Sequence, residues 1–186
     1  ADTKITTDVL DTIRKTAGHA YDAIGQTGTI TPAASYTKAL DDIAAPYLKA
    51  AEGFPNAKLS PVIDIVESLK SPSFDAASAI EKIKHLRSAA DDAFRTGNTD
   101  VARASKSASK VLEDAVEDHL KATGSQDLLK SFKEARATIA KTYSVQKALN
   151  NGNVSGQNLA AQLKKGKPLS GGIKDIAEFS EAFKKA

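Results

Sequence analysis

Two long amphipathic stretches with a short polar break between them constrain the fold of this chain most strongly. Apolar residues recur three and four positions apart before and after Thr96-Gly97-Asn98, which is the spacing of one face of an α-helix. Two helices of similar length joined by so short a loop predict an antiparallel helical hairpin over residues 75–122. The predicted buried residues are Ile80, Ile83, Leu86, Ala90, Ala93 and Phe94 before the break, and Val101, Ala104, Ala108, Val111, Leu112, Ala115, Val116 and Leu120 after it.

Charged residues on both flanks favour the same hairpin. Folding the chain at Gly97 brings residues of opposite charge together along the two helices. The predicted pairs are Asp91 and Asp92 with Arg103, and Lys82 with Glu113 and Asp114.

The rest of the chain also has helical spacing. Further helices are predicted at 7–24, 31–51, 60–69, 126–149 and 155–165 and from residue 170 onward. We expect Thr31 to cap the second of these with Pro32 in its first turn, and Pro46 to kink or divide it. No stretch alternates as a strand would. The predicted fold class is therefore all-α, a multi-helix bundle of seven or eight helices with a central antiparallel helical hairpin.

Two regions are expected within this bundle. Residues 1–72 form an N-terminal helical region, and residues 73–186 combine the hairpin with basic C-terminal helices, packed together as one unit. The helix at 126–149 is expected to pack against the hairpin.

Composition excludes several classes of protein. Cysteine is absent, so the chain has no disulfide, thiol nucleophile or thiolate metal site. No apolar run approaches the ~20 residues that a membrane-spanning helix needs. Methionine is also absent, even at position 1. Either an initiator methionine has been removed, or the chain is a piece of a longer protein.

A glycine-rich stretch at residues 150–172 resembles a phosphate-binding loop at first sight. The nucleotide-binding pattern needs a glycine five positions before Gly166 and a hydroxyl residue after Lys167. Ala161 and Pro168 occupy these two positions. The glycines are better explained as helix ends and turns, and no cofactor is predicted.

The residues that most often bind metals are few and poorly spaced for it. His19, His85 and His119 belong to no recognised ligand motif. An acidic group can hold a divalent cation if a facing helix supplies more oxygens, but lysines are expected opposite, and a charged helix flank is the preferred interpretation. This acidic group consists of Glu113, Asp114, Glu117 and Asp118.

Charge is distributed unevenly along the chain. Residues 1–120 carry 14 Lys and Arg against 18 Asp and Glu, whereas residues 121–186 carry 12 against 5. The basic third can face a phosphate backbone, an acidic partner or solvent alone. Because Arg136 is its single arginine, any DNA contact is expected to be independent of sequence. The candidate contact residues are Lys141, Lys147, Lys164, Lys165 and Lys167.

Three segments, in the same order, resemble a helical region in structural proteins of tailed bacteriophages and prophages. They are ADDAFRTGN, FKEARATIAKTYSVQKALN and GNVSGQNLAAQLKKGKPLSGGIKDIAEF, and they cover roughly the C-terminal half. The resemblance implies a virion component made in the bacterial host cytoplasm, either an internal (ejection) protein or a tail-associated one. It supplies no catalytic residue. The Gly/Ala-rich apolar segment that follows this region in such proteins is not present in the sequence given.

Three hypotheses follow. The first is a non-enzymatic virion protein that assembles through helix contacts with other virion proteins or with copies of itself, without a small-molecule substrate or a membrane contact. The second is a helical binding module whose basic C-terminal third holds DNA or an acidic partner. The third is an enzyme with an unrecognised site, which no G-x-S-x-G or similar motif supports.

Overall fold

The computed structural model describes residues 7–150, with side chains as far as residue 146. Six α-helices lie in this described part: α1 (Thr7–Asp22), α2 (Ala34–Gly53), α3 (Pro61–Glu67), α4 (Ala76–Arg95), α5 (Thr99–Ala122) and α6 (Gln126–Asn150). A 3-10 helix at Ala23–Gln26 follows α1. The predicted all-α, multi-helix fold is confirmed. The helices predicted at 155–165 and from residue 170 lie outside the described residues.

The chain divides into two compact units. Asp22–Lys130 form one of them, which we call the hairpin unit, and among the described residues the other combines α1 as far as Tyr21 with residues 131–150 of α6. We call the second the terminal unit. The grouping of residues 1–72 and 73–186, and the packing of α6 on the hairpin, stay predictions.

Helices α4 and α5 pack side by side as the hairpin that the sequence predicts. Most of the predicted seam is buried, including Ile83 on α4 and Leu112 and Leu120 on α5. Phe94 is the main error, because 67% of its surface is exposed. A helix turns about 100° per residue, and the neighbouring Ala93 occupies the buried position in this last turn.

The residues at the turn of the hairpin suit the backbone conformation that the turn requires. Gly97 has a φ of +77°, in the left-handed region that residues with a Cβ seldom adopt. Asn98 then caps α5, since its side chain accepts a hydrogen bond from the backbone N–H of Val101 at 3.3 Å. The helix boundary at this point is therefore fixed locally.

Helix α2 starts later than predicted. Its N-cap is Ala33, not Thr31, and Ala33 has no side chain that can cap the first turn. The chain just before it is held extended because β1 (Thr29–Ile30) pairs antiparallel with β2 (Phe74–Asp75). This two-residue pair was not predicted, because two residues show no alternation. Of the two predicted effects of Pro46, division of the helix is wrong, since α2 continues past it to Gly53, and a kink stays a prediction.

Tyr36 of α2 contacts the connection between α3 and α4. Its hydroxyl donates a hydrogen bond to the Leu69 carbonyl at 2.8 Å, and its ring centroid lies 5.7 Å from that of Phe74. Helix α3 begins as predicted, with the Ser60 hydroxyl accepting from the Val62 N–H at 3.2 Å. The Tyr36 contacts hold the start of α2 against the connection between α3 and α4.

Arg14 joins α1 to α6 within the terminal unit. Its Nε donates to the Thr142 hydroxyl at 2.7 Å, one Nη donates to Gln146, and the other pairs with Asp11 at 3.0 Å. The guanidinium carbon lies 3.9 Å from the centroid of the Tyr143 ring. One side chain thus combines a hydrogen-bond fork with a cation–π contact.

Candidate interaction surfaces

Four large apolar side chains are exposed on the hairpin unit. They are Leu48, Phe54, Leu59 and Phe94, with 45%, 73%, 58% and 67% of their surfaces accessible. Leu48 lies in the last turns of α2, Phe54 and Leu59 lie in the connection to α3, and Phe94 lies in the last turn of α4. We call these four residues the apolar end.

A contact across the bundle brings these segments to the same end of the hairpin unit. Burial first, and then the charge and hydrogen-bonding influence of the nearby Asp100 carboxylate on α5, raise the pKa of Tyr47 on α2. Asp100 lies in the first turn of α5, just after the turn that follows Phe94. The end of α2 therefore lies against the hairpin turn. Grouped exposed apolar residues of this size are typical of a protein contact surface.

A groove of about 870 Å³ opens elsewhere on the hairpin unit. One wall is the C-terminal half of α5, which contributes Asp114, Glu117 and Asp118. The opposite wall carries the uncharged residues Thr31 and Ser35, at the start of α2. Both walls also carry small apolar residues, which are Pro32, Ala33, Ala39, Val111, Ala115 and Ala122.

His119 fixes one end of this groove by a hydrogen bond to the backbone. Its Nε2 lies 3.2 Å from the Thr27 carbonyl oxygen and 3.1 Å from the Thr27 hydroxyl. Because a carbonyl oxygen only accepts, Nε2 carries the hydrogen and donates it. The Thr27 hydroxyl donates in turn to the Ile24 carbonyl at 2.7 Å. His119 thus holds the 3-10 segment against α5.

The structure separates the acidic residues that the sequence grouped on one flank. Glu113 is 4% exposed and its carboxylate lies 2.7 Å from an Arg87 Nη, so it is not part of a solvated flank. The predicted pairing of Glu113 with Lys82 is replaced by this pair with Arg87, one and a half turns further along α4. The other three acidic residues line the groove. Within residues 7–146, no group of three or more His, Cys, Asp or Glu side chains is placed to hold a metal ion.

The predicted lysine contacts are only partly described. Lys141 is exposed on α6. Lys147 lies on α6, beyond the last described side chain, and Lys164, Lys165 and Lys167 lie outside the described residues. A common phosphate-binding surface formed by these lysines stays a prediction.

None of the helices described here is long and apolar enough to cross a membrane. Comparisons of the chain with protein-family models, with curated proteins and with solved structures found no match. The resemblance to phage structural proteins therefore stays a prediction.

Proposed function

We propose that this protein is a non-enzymatic structural protein that assembles with copies of itself or with other virion proteins through its helical surfaces. The particle is that of a tailed phage, where the protein is an internal (ejection) or tail-associated component. The observation that carries the assembly role is the apolar end, which leaves Phe54 and Phe94 73% and 67% exposed.

The energetic argument rests on the size of these side chains. Fully burying one large apolar side chain contributes about 1.5–3 kcal/mol. Because 45–73% of each of these four side chains is exposed, a partner that covers the apolar end gains about half to three quarters of this amount for each of them, which opposes the loss of translational and rotational freedom on association. The core of the hairpin unit, by contrast, uses many alanines, which bury little surface each.

A non-catalytic role is supported because a histidine and a buried glutamate, side chains that often act in catalysis, are held here by structural hydrogen bonds. The Nε2 of His119 is held by the Thr27 carbonyl, and the buried Glu113 is held by Arg87. The Thr27 hydroxyl beside His119 donates its hydrogen to the Ile24 carbonyl, so His119 does not accept a proton from it as a catalytic base would. The assignment to a virion rests on the three segments that resemble phage structural proteins.

Light scattering of the purified chain tests the assembly role. We expect a defined oligomer, and we expect Phe54→Ser with Phe94→Ser to shift it to monomer while circular dichroism stays unchanged. A matched control is Lys38→Ser with Lys130→Ser, two exposed polar positions outside the apolar end. A wild-type chain that stays monomeric at high concentration, alone and with neighbouring gene products, would contradict the proposal.

A second candidate function is supported by the charge balance. Residues 121–186 carry 12 Lys and Arg against 5 Asp and Glu. If this region holds DNA, affinity falls steeply with added salt, because bound lysines release counterions from the phosphates. Replacing Lys164, Lys165 and Lys167 by Ala is then expected to weaken DNA binding uniformly across sequences. DNA binding that survives both changes would contradict this role.

A further inference from the structure

We propose that the apolar end binds the apolar end of a second copy of this chain, so that two copies form a dimer related by a two-fold axis. The inference rests on the assembly role proposed above, and it selects one partner and one geometry for that role. It depends on the exposed apolar area, on the fixed backbone of the residues that supply this area, and on the charges beside them.

The exposed apolar area matches what one side of a stable dimer needs. Leu48, Phe54, Leu59 and Phe94 are 45%, 73%, 58% and 67% exposed, which together equals about two and a half large side chains. At ~200 Å² for each side chain, this is roughly 400–500 Å² of apolar surface per copy. A standard interface buries about 800 Å² on each partner, of which about 56–65% is apolar, or roughly 450–520 Å². The apolar end therefore supplies about the whole apolar part of such an interface.

Backbone hydrogen bonds hold the two phenylalanines in place before any partner binds. The N–H of Phe54 donates to the Ala50 carbonyl at 3.2 Å, and the Phe54 carbonyl accepts from the Ala57 N–H at 2.9 Å. Phe94 lies in the last turn of α4, and its carbonyl accepts from the Gly97 N–H at 3.2 Å. Because the backbone is already ordered at both positions, binding costs little further conformational entropy. Exposed aromatic residues held in this way are suited to anchor a protein interface.

The charged residues beside the apolar end favour a second copy over a partner of one sign. Lys49, Glu52 and Lys58 are exposed and near the apolar residues in sequence, and they contribute two positive charges and one negative. Arg95 pairs with Asp92 in the last turns of α4, so these two add no net charge. A charged surface that meets itself across a two-fold axis has to carry both signs, because otherwise like charges face each other. Nucleic acid, by contrast, needs a clear excess of lysine and arginine.

Cross-linking tests the two-fold geometry, because the chain has no cysteine of its own. Ala57→Cys places a single thiol in the exposed turn between Phe54 and Leu59, and a short bismaleimide joins two such thiols only when they lie close together. In a two-fold dimer this thiol lies near the same thiol of the other copy, so we expect covalent dimers. Adding Phe54→Ser and Phe94→Ser is expected to lower the yield about tenfold, since both anchors are lost.

The matched control is Ala122→Cys, an exposed alanine at the far end of α5, roughly 35 Å from the first residue of that helix. We expect no covalent dimer from it. Asn56→Cys, in the same turn as Ala57, is a second probe of the contact. Equal yields at Ala57 and Ala122, or no covalent dimer from either turn position, would overturn the proposal.

Two charge variants test whether the apolar end meets itself. Glu52→Lys gives the three residues Lys49, Glu52 and Lys58 a summed charge of +3, and Lys49→Glu with Lys58→Glu gives them −3. At low salt we expect each variant alone to self-associate roughly threefold or more weakly than wild type, and an equimolar mixture to associate more strongly than either. Circular dichroism checks that both variants stay folded. If one variant weakens association and the other strengthens it, the apolar end meets a different surface and the two-fold contact is refuted.

Light scattering separates this inference from the assembly role. An oligomer that depends on Phe54 and Phe94 but gives no cross-link at either turn position would reject the two-fold contact and leave the assembly role intact. A chain that is monomeric alone but assembles with a neighbouring gene product would likewise reject only the second copy. A chain that stays monomeric in both conditions would contradict both proposals.

Discussion

The carboxylate of Glu113 on α5 lies 2.7 Å from a guanidinium nitrogen of Arg87 on α4, and only 6% and 15% of the two side chains are exposed. This largely buried ion pair joins the two helices of the hairpin. Around it the interface of α4 and α5 is made largely of alanine, serine and aliphatic side chains. If either partner is removed, the remaining charge is therefore poorly solvated by water.

Removing one member of this pair is expected to destabilise the hairpin strongly. Glu113→Ala removes the carboxylate that faces the largely buried Arg87 charge, and breaking a buried pair in this way costs about 3 kcal/mol of the free energy of unfolding in comparable cases. The double variant Arg87→Met with Glu113→Leu is expected to recover most of this loss. Urea denaturation measures both. A loss below about 1 kcal/mol for Glu113→Ala, the range of exposed ion pairs, would contradict this account.

Arg14 is expected to resist conservative replacement. Arg14→Lys keeps the charge but loses the planar fork that bonds Thr142, Gln146 and Asp11, and weakens the contact with the Tyr143 ring. We expect the free energy of unfolding to fall by about 1–2 kcal/mol. The exposed neighbour Lys15 provides the reverse exchange as a control, and Lys15→Arg is expected to change stability by less than ~0.5 kcal/mol. Similar effects of the two exchanges would count against a specific role for the Arg14 guanidinium.

Tyr36 is expected to make stability depend on alkaline pH. Burial raises the pKa of Tyr36 to about 12 from its ordinary 10.0. Because the folded-state pKa is higher than the unfolded one, the stabilisation is complete below pH 10 and is lost as the pH rises towards 12. Tyrosinate absorbance is followed by ultraviolet titration of the wild type and of Tyr36→Phe. The absorbance that the variant lacks is expected to be the part that appears at the highest pH in the wild type. A missing signal centred near pH 10 would show that the hydroxyl is not buried as described.

Two glycines are expected to respond in opposite directions to alanine. Gly97 has a φ of +77°, so Gly97→Ala is strained and is expected to cost about 1 kcal/mol. Gly18 lies inside α1, and a Cβ there would meet nothing within 4 Å. Gly18→Ala is therefore expected to raise stability by about 0.5–1 kcal/mol. Thermal unfolding of the two variants checks both signs, and a shift in the same direction for both would refute the backbone argument.

Much of the helical framework could be predicted from sequence because it depends on neighbouring residues. Ser60 before Pro61, and Asn98 after Gly97, cap helices where their side chains can reach the first turn. The spacing of apolar residues on α4 and α5 also identified most of the buried seam. These features follow from backbone hydrogen bonding and helical periodicity, which operate within a few residues.

The candidate surfaces could be predicted only in part. Asp114, Glu117 and Asp118 were recognised as an acidic cluster, but the groove beside them exists only because β1 and the start of α2 lie opposite α5. No local signal separated Phe94, which is exposed, from Ala93, which is buried. Exposure of Phe54 and Phe94 depends on where neighbouring helices end, which a periodic pattern does not contain.

The sequence by itself determined that this chain is helical, where most of its described helices begin and end, and which faces of α4 and α5 are buried. Tertiary structure alone decided that Glu113 pairs with Arg87, that residues 29–30 form a strand, and that a groove opens between α2 and α5. The physical reason is that helix formation is driven by contacts near in sequence. The relative axial position of two packed, alanine-rich helices depends instead on the sum of many small contacts between residues that are distant in sequence.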